Sequence, residues 1–317
     1  MTPSRPAVAA GLLGMALLAA ARGGRTAEPV TLAGPAMGTT FRVALAAPVA
    51  GRSTAMVHRE IEAVLGRLDS SLSHWRNDSA LSRLNAAPAG AWIALDADLA
   101  AVLRAARSVH AASGGAFDPT VLPLVEAWRA GAPDAATVAA ARATVGLDTI
   151  EWRDEGGTLA ARKRSPETRL DLGAIGPGWA VDAIGERLVE LGSENHLVSL
   201  GGECRAWGTA AGDRAWQVQL DPGGPGHPAR VVDLPAGTAL ATSTRRPGRS
   251  PLDPRSGTVA GGGATSVTVR GPSAGLADAW ALALLVQSAD PGWPERQQRR
   301  LPPGYTVERI GAPPAPR

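Results

Sequence analysis

The sequence feature that most constrains the fold is residues 168–191, where a short apolar segment meets a glycine turn and a helical pattern. Residues 168–172 have the β-branched and leucine character of a strand, and Gly173, Gly176 and Gly178 follow at once. This glycine order is not the GxGxxG fingerprint of dinucleotide-binding folds. It predicts a strand, a tight turn and a helix whose N-terminal end is a natural phosphate site, with a purely structural turn as the equal alternative. The apolar positions of the predicted helix are Val181, Ile184, Leu188 and Leu191.

The rest of the chain alternates between strand and helix patterns. Its 38 glycines and 26 prolines imply many turns, without a collagen-like period. The length of 317 residues suits one large domain or two, but no repeat or linker divides the chain. We therefore expect a single domain over residues 28–310 and a disordered tail over 311–317. Helices are predicted from about 56 to 70, 96 to 114, 134 to 144 and 276 to 287, and strands on both sides of 37–40 and at 196–200, 216–220, 238–243 and 265–269.

Composition and missing motifs exclude several classes of protein. The net charge of +3 gives no support for nucleic-acid binding. The single lysine, Lys163, follows arginine rather than glycine, so a Walker phosphate loop is excluded. The single cysteine, Cys204, permits no intrachain disulfide, and we expect it to be structural. The histidines lack metal-ligand spacing and are expected to be structural; they are His58, His74, His110, His196 and His227.

The N-terminus has the pattern of a secretory signal peptide over residues 1–21. Arg5 precedes an uncharged apolar run over residues 7–21, and Ala19 and Ala21 form an A-x-A cleavage site. The run is short for a membrane span, so an uncleaved anchor is the less favoured alternative. No cysteine follows it to carry a lipid. We therefore expect a periplasmic or otherwise extracytoplasmic protein.

Three aspartates are candidates for chemistry, each with a structural alternative. Asp171 ends the predicted strand beside the glycine turn, where it would hold a ribose or nucleobase, or cap the loop. Asp278 opens an apolar helix, where it would ligate a hard cation such as Mg²⁺. Alternatively, it is simply an acid that the positive end of the helix dipole stabilises. Asp118 is equally well explained as a helix cap. Residues 253–257 form a turn sequence that is typically structural.

Eight short motifs, taken in order, resemble the ApbE family, the FAD:protein FMN transferases. The resemblance covers about residues 30–288, nearly all of the mature chain. Eight motifs in register are more specific than any one of them. They are residues 37–39, 79–85, 115–121 with 123–125 and Trp128, 171–176, 199–203, 241–243, 253–257 and 277–279.

The resemblance implies an α+β fold with mixed or antiparallel sheets and helices packed around a central FAD cleft. It also implies Mg²⁺-dependent cleavage of FAD and transfer of FMN, through its phosphate, to a threonine or serine of a partner flavoprotein. The acceptor would carry a Ser/Thr-Gly-Ala type segment, and only this partner would contact the membrane. The implied FAD-binding residues are Met37, Trp75, Ala116, Phe117, Asp118, Asp171 and Leu252. The Ala174 carbonyl and the Asp278 carboxylate would hold Mg²⁺, and Asp278 and Asp171 would be catalytic.

The sequence also departs from the family pattern. Pro177 replaces a lysine or other polar residue, Leu282 a threonine metal ligand and Ser250 a histidine. The run over 243–247 is altered as well; its Arg245 and Arg246 would steady phosphate charge or simply be solvated at the surface. Two alternatives therefore stand beside the transferase: a weakened homologue that binds or delivers FAD, and a pyrophosphatase that releases FMN and AMP.

Overall fold

The computed structural model describes residues 29–220, 229–246, 250–290, 293 and 298–310. The predicted signal peptide and tail lie outside these residues, as does His227. Within them, every strand ladder is antiparallel and helices pack against the sheets, so the predicted α+β class is confirmed. The described part of the chain contains no helix that is both long and apolar enough to cross a membrane.

The main sheet has seven antiparallel strands. Its strands, in chain order, are β1 (Val30–Ala36), β2 (Thr39–Leu45), β6 (His196–Leu200), β7 (Glu203–Trp207), β10 (Ala239–Thr244), β13 (Ser266–Gly271) and β14 (Thr306–Ile310), and this is also their order across the sheet. The turns β1–β2 and β6–β7 lie at the same end of the sheet as the C-terminus of β10, because neighbouring strands are antiparallel. That end carries residues of the candidate site.

Three smaller sheets surround the main one. They consist of β3 (Ile93–Ala94), β4 (Ile150–Glu155) and β5 (Thr158–Lys163); β8 (Trp216–Leu220) and β9 (Arg230–Leu234); and β11 (Leu252–Asp253) and β12 (Thr258–Val259). The β8–β9 hairpin covers one face of the main sheet with Trp216 and Val218, which pack on Leu197, Cys204 and Leu240. The burial of Cys204 agrees with the structural role predicted for it.

The opposite face of the main sheet is covered mainly by two helices, α6 and α7, and other helices pack around them. The helices are α1 (Thr54–Leu72), α2 (Ala80–Ala86), α3 (Ala97–Ser113), α4 (Leu122–Arg129), α5 (Ala135–Arg142), α6 (Gly176–Glu190) and α7 (Ala274–Val286), with a 3₁₀ turn at Leu147–Thr149. The sequence explains their ends: Asp96 accepts the Leu99 amide at the start of α3, and Gly114 ends that helix with a φ of 64°. α7 packs on β10 and β13, and α6 packs on β6, β7 and α7. The large apolar core lies between these layers.

The helix predictions are confirmed to within a few residues, and the strand at 196–200 is exact. The strand predicted at 168–172 is wrong: only Arg169 pairs there, as an isolated bridge to Val121. Asn85 supplies the physical reason. Its side-chain amide donates to the Leu170 carbonyl at 2.9 Å and accepts the Leu170 amide at 2.8 Å, so a side chain takes the bonds that a neighbouring strand would make.

Candidate functional site

The glycine turn leads into the N-terminus of α6, as the sequence predicts, but its amides are already bonded. The Gly176 amide donates to the Leu172 carbonyl at 2.8 Å, and Pro177 has no N–H. The Gly178 amide donates to Asp278 Oδ2 at 3.4 Å. The Gly176 amide is therefore not free for a phosphate, whereas the Gly178 amide makes, among the described residues, only this one long bond. The helix end also offers its dipole and the Asp278 carboxylate.

α6 and α7 touch backbone to backbone at this point. A Cβ atom on Gly178 would lie 2.3 Å from the Ala274 carbonyl oxygen, and one on Gly275 would lie 3.0 Å from the Trp179 ring. The first distance is too short for any side chain and the second is tighter than most Cβ contacts, so glycine at position 178 permits the approach. α7 is otherwise apolar and almost wholly buried. The close contact carries Asp278 of α7 to the first turn of α6.

Asp182 fastens the two helices one turn further along α6. Its Oδ1 accepts from the Ala274 amide at 3.0 Å and from Arg205 Nη1 at 2.8 Å. Its Oδ2 accepts from Ser273 Oγ at 2.7 Å and from the Gly275 amide at 3.1 Å. Asp182 thereby caps the start of α7 and fixes the helix that bears Asp278.

Asp278 and Glu203 form a pair of buried carboxyl groups, 6% and 9% exposed. Burial raises the pKa of Asp278 to about 7. Burial, and then the charge of Asp278, raise the pKa of Glu203 well above its ordinary value. Glu203 begins β7 and accepts the Gly202 amide at 3.1 Å. Sequence reasoning gave it no role, although an acid that follows a Gly-Gly turn and enters a buried strand is a usable signal.

Two residues with oxygen ligands lie near this helix end. Ala174 lies in the turn over residues 173–175, immediately before α6, and Asp278 faces the same first turn. Carbonyl and carboxylate oxygens suit a hard cation such as Mg²⁺, which commonly keeps several waters. Within the described residues no group of three or more His, Cys, Asp or Glu side chains is placed so that it could hold a metal ion. A cation here would therefore depend on few protein ligands.

Met37 occupies the β1–β2 turn in a backbone conformation unusual for a side-chain-bearing residue. Its φ is 47°, and that of Gly38 is 77°. A type I′ two-residue hairpin turn has positive φ at both positions, as here, so Met37 carries strain that glycine would avoid. The turn lies beside the β6–β7 turn, since the Thr39 methyl is 3.5 Å from where a Cβ of Gly201 would be. Met37 thus shares the sheet end that bears Glu203.

Asp171 lies just before the same glycine turn. Its Oδ1 accepts the Gly173 amide at 2.8 Å, so it does cap the loop, and its own amide donates to the Pro119 carbonyl at 2.7 Å. His74 Nδ1 is 3.4 Å from Asp171 Oδ1. Sequence reasoning placed Asp171 but missed this histidine, because residues 74 and 171 are far apart in the chain.

Asp118 is held in a loop rather than at a helix end. Its Oδ1 accepts both the amide and the hydroxyl of Thr120, at 2.8 Å and 2.5 Å. The helix-cap alternative is wrong, because α4 begins after Val121 without a side-chain cap. His110 Nδ1 lies 3.4 Å from Asp118 Oδ2, and burial raises the pKa of Asp118. Ala116 and Phe117 are buried beside it.

Two cavities flank these aspartates. One, of about 450 Å³, is lined by His74, Trp75, Leu122 and Arg129 among others. The other, of about 430 Å³, is more polar; its lining includes His110, Asp118, Arg142 and Arg255. Trp75 is 54% exposed. The Arg129 guanidinium lies 5.1 Å from the centre of its ring, a cation–π contact.

Leu252 is half-buried in β11, which leads into the predicted turn over residues 253–257. The turn is structural, as expected. Arg142 Nε donates to the Arg255 carbonyl at 2.9 Å, and Trp128 Nε1 donates to the Gly257 carbonyl at 3.0 Å. The β11–β12 hairpin that carries Leu252 is thereby fixed to α4 and α5.

Arg245 has neither of the roles expected for it. Its guanidinium donates to the carbonyls of Ala260, Ala264 and Leu285, and so ties a loop to the C-terminus of α7. It is therefore a structural residue rather than a phosphate ligand or a solvated surface charge. Leu282, one turn beyond Asp278, is half-buried and packs against the core.

The match with known proteins covers most of the chain. The family model described as the ApbE family matches residues 37–300. The FAD:protein FMN transferase of Vibrio cholerae is 29% identical to this chain, over 88% of this chain and 87% of its own length. That of Klebsiella pneumoniae is 31% identical, over 80% of this chain and 77% of its own length. Flavin transferase ApbE of Vibrio cholerae and apo flavinyl transferase ApbE of Pseudomonas stutzeri both superpose with a TM-score of 0.77, at 27% and 30% identity. They cover 90% of this chain and 98% and 95% of their own. The chain belongs to the ApbE family.

Proposed function

We propose that this chain is a Mg²⁺-dependent FAD:protein FMN transferase that acts outside the cytoplasm. The observation that carries the proposal is the Asp278 carboxylate, buried on an apolar helix and facing the first turn of α6. A buried carboxylate with one long hydrogen bond is costly to maintain, which favours a ligand as its missing partner. The names of the relatives supply the reaction.

The residues present fit a hard divalent cation. Asp278 Oδ2 has only the Gly178 amide, at 3.4 Å, as a donor among the hydrogen bonds described. The Ala174 carbonyl lies in the turn before the same helix end. We assign both to the cation; Leu282 contributes no oxygen, and water would take its place. When bound, the cation neutralises charge on the pyrophosphate oxygens.

The transfer exchanges one P–O bond for another, so it needs no oxidant or reductant. The acceptor hydroxyl oxygen bonds to the FMN phosphorus, the bond from that phosphorus to the bridging oxygen breaks, and AMP leaves with that oxygen. The hydroxyl proton is released to solvent or to a base. The protein's contribution is to position the groups and stabilise charge, since phosphoryl transfer needs little covalent help. Asp278 supplies negative charge to hold the cation, and the α6 dipole adds positive charge.

FAD is a long substrate with a ring system at each end. Asp171 and Asp118 lie on adjacent segments, joined by the bond between the Asp171 amide and the Pro119 carbonyl. The 430 Å³ cavity borders Asp118, and the 450 Å³ cavity is lined by His74, which lies against Asp171; each is large enough for a ring. With Met37 and Leu252 they support an FAD site that extends outward from Asp278. We assign Asp171 to substrate positioning in that site.

The acceptor would be a flavoprotein with a Ser/Thr-Gly-Ala type segment. The test is to incubate mature protein, FAD and Mg²⁺ with such an acceptor and to measure the acceptor's intact mass. We expect a gain of one FMN unit, abolished by EDTA. No gain would contradict the proposal if an established transferase modifies the same acceptor. Fractionation of the native host tests the location: a cytoplasmic pool with an uncleaved N-terminus would contradict export.

Two departures favour a second candidate, a weakened homologue that binds or delivers FAD without transfer. Leu282 offers no ligand oxygen, and Pro177 brings no cation to the helix end. FAD bound tightly but left intact would indicate this homologue. A pyrophosphatase would use water as the acceptor at the same site, and FMN and AMP would then appear without any acceptor protein.

A further inference from the structure

The motif over residues 79–85 has no role in the mechanism proposed above. It forms α2, with Ser79 as the N-cap. A helix of seven residues is too short to be stable alone in water, so contacts with the rest of the protein must hold it. Leu81 and Leu84 make those contacts, since both are fully buried in the core. The polar side chains of α2 therefore have fixed positions from which to bond neighbouring segments.

The N-terminal end of α2 holds the residue two positions before Trp75. The Ser79 hydroxyl donates to the Ser73 carbonyl at 2.5 Å, and the Ser82 hydroxyl donates to it at 3.3 Å. The Trp75 amide in turn donates to Ser73 Oγ at 3.3 Å. Ser79 is fully buried, so its hydrogen bond is shielded from water. Two hydroxyls of the motif thereby fix the backbone that bears Trp75.

The C-terminal end of α2 holds the residue directly before Asp171. The Asn85 side chain makes both of its bonds, at 2.8 Å and 2.9 Å, to the backbone of Leu170, which is fully buried. The buried side chain of Lys163 strengthens this attachment. Its Nζ donates to the Asn85 carbonyl at 2.6 Å and to the Pro166 carbonyl at 2.9 Å, so it ties the end of α2 to the loop that leads into Asp171.

The two segments that α2 holds meet each other beside the 450 Å³ cavity. His74 Nδ1 of the first segment is 3.4 Å from Asp171 Oδ1 of the second. Ser82 and Asn85 line this cavity together with His74 and Trp75. A shift at either end of α2 would therefore move one part of the cavity wall relative to another. Displacements of about 1 Å in a site of this kind are enough to weaken binding and catalysis.

We propose that α2 is a positioning element of the FAD site: Ser79 fixes the backbone that bears Trp75, and Asn85 fixes the backbone that bears Asp171. One short helix thus sets the separation of two side chains that are far apart in the chain. A site held by a rigid element is more precise than one held by loops alone. The inference rests on the proposed function, because it takes FAD as the ligand of Trp75 and Asp171.

The Asn85 end is tested by Asn85→Ala, with Asn195→Ala as the matched control. Asn195 Oδ1 accepts the Thr209 amide at 2.7 Å, a bond of the same kind at the end of β6 and β7 that lies away from Glu203. Both variants leave a backbone group without its partner, so both should be less stable in urea. Only Asn85→Ala should affect the substrate. We expect its KM for FAD to rise about tenfold, and that of Asn195→Ala to stay within about twofold of wild type.

The same comparison is made by titration calorimetry with FAD and Mg²⁺ in the absence of an acceptor protein. The expected changes in the dissociation constant are the same as those in KM. Destabilisation alone lowers the number of folded molecules, which reduces the apparent kcat and the calorimetric stoichiometry but not the affinity of the folded protein. The affinity therefore distinguishes positioning from a general structural role.

A double-mutant cycle separates positioning from direct contact with FAD, because Asn85 also lines the cavity. If Asn85 acts through Asp171, Asn85→Ala should cost less than about threefold in affinity once Asp171 is already alanine. Ser79→Ala, combined with Trp75→Ala, tests the other end of α2 in the same way. This second cycle decides the question if Asn85→Ala does not fold.

Unchanged FAD affinity in folded Asn85→Ala and Ser79→Ala would overturn the inference, as would additive losses in both cycles. Those results would leave the transferase proposal standing, since FMN transfer by the wild type tests it separately. Wild-type protein that binds FAD with this dependence on α2, yet transfers no FMN, would instead contradict only the transferase. Failure of the wild type to bind FAD would overturn both.

Discussion

Two carboxylates lie at the α6–α7 interface, and their surroundings differ. Asp182 of α6 bonds to the start of α7, and Asp278 of α7 faces the start of α6. Asp182 is 8% exposed and accepts from two amides, one hydroxyl and one guanidinium. Asp278 is 6% exposed and accepts one amide at 3.4 Å. The same chemical group is thus fully bonded in one place and nearly unbonded in the other. The difference assigns Asp182 to the architecture and supports the proposal that Asp278 binds a ligand.

Asp182→Ala should have the largest effect of the substitutions at this interface. It leaves Arg205, Ser273 and two α7 amides without their acceptor, and losing one partner of a buried ion pair costs about 3–5 kcal/mol. We expect a loss of that order in the free energy of unfolding, measured by urea denaturation. Ser273→Ala is the control: it removes the α7 N-cap but keeps the ion pair, and should cost about 1 kcal/mol. Equal losses in the two variants would refute the role given to Asp182.

Asp278→Asn should show the opposite balance. The amide keeps the size of the side chain and an acceptor for Gly178, but removes the charge that would hold a cation. We expect the FMN-transfer rate to fall about 10²–10³-fold, since loss of one electrostatic contact in an active site has that effect. The free energy of unfolding should stay the same or rise, because a poorly bonded buried carboxylate is destabilising.

The matched control for that substitution is Glu190→Gln. It removes one negative charge from the exposed end of α6, where Glu190 pairs with Arg187. Rate and stability should both remain near wild type. An Asp278→Asn variant that keeps full activity would sink the transferase mechanism.

The sequence predicts this interface only in part. Helix patterns and glycine turns follow from local periodicity, so α6, α7 and the turn before α6 could be placed from the residues alone. The contact of Gly178 with Ala274 spans about a hundred residues of chain, and no local pattern encodes it. The roles of Asp182 and Glu203 depend on that contact. They become visible only when the helices and β7 meet.

The wrong predictions for residues 168–172 and for Arg245 also arise from contacts between residues that are distant in sequence. Residues 168–172 have strand character, but Asn85, far away in sequence, takes the hydrogen bonds of Leu170. Arg245 looks like a surface or phosphate-binding cation until α7 and the loop at 260–264 are placed around it. The motif resemblance identified Asp171 and Asp278, whereas His74 carries no motif signal. Long-range partners decide the role of a polar side chain.

His196 extends the comparison to the other end of α6. It is fully buried near Ser193, and its ring stacks on Trp207 at 4.8 Å. Burial lowers its pKa from 6.5 to about 4. As at Asp278, burial favours the neutral form of this titratable group. The His196 ring, however, stacks on Trp207 and bonds to Ser193 through Nδ1, which makes it structural.

The sign of its pH effect follows from this shift. Because the folded-state pKa lies below the ordinary value, the neutral ring stabilises the fold fully above pH 6.5, and this stability is lost as the pH falls from 6.5 towards 4. Between pH 7 and pH 5 the loss amounts to about 2 kcal/mol. His196→Phe keeps the stacking on Trp207 and removes the titration. Its urea-unfolding free energy should therefore decline less over this range by that amount, since the carboxylates titrate alike in both proteins. If the free energies of unfolding of wild type and variant fall equally with pH, His196 is protonated in the folded state or lies near water. That result would contradict its assignment as a buried, neutral structural residue.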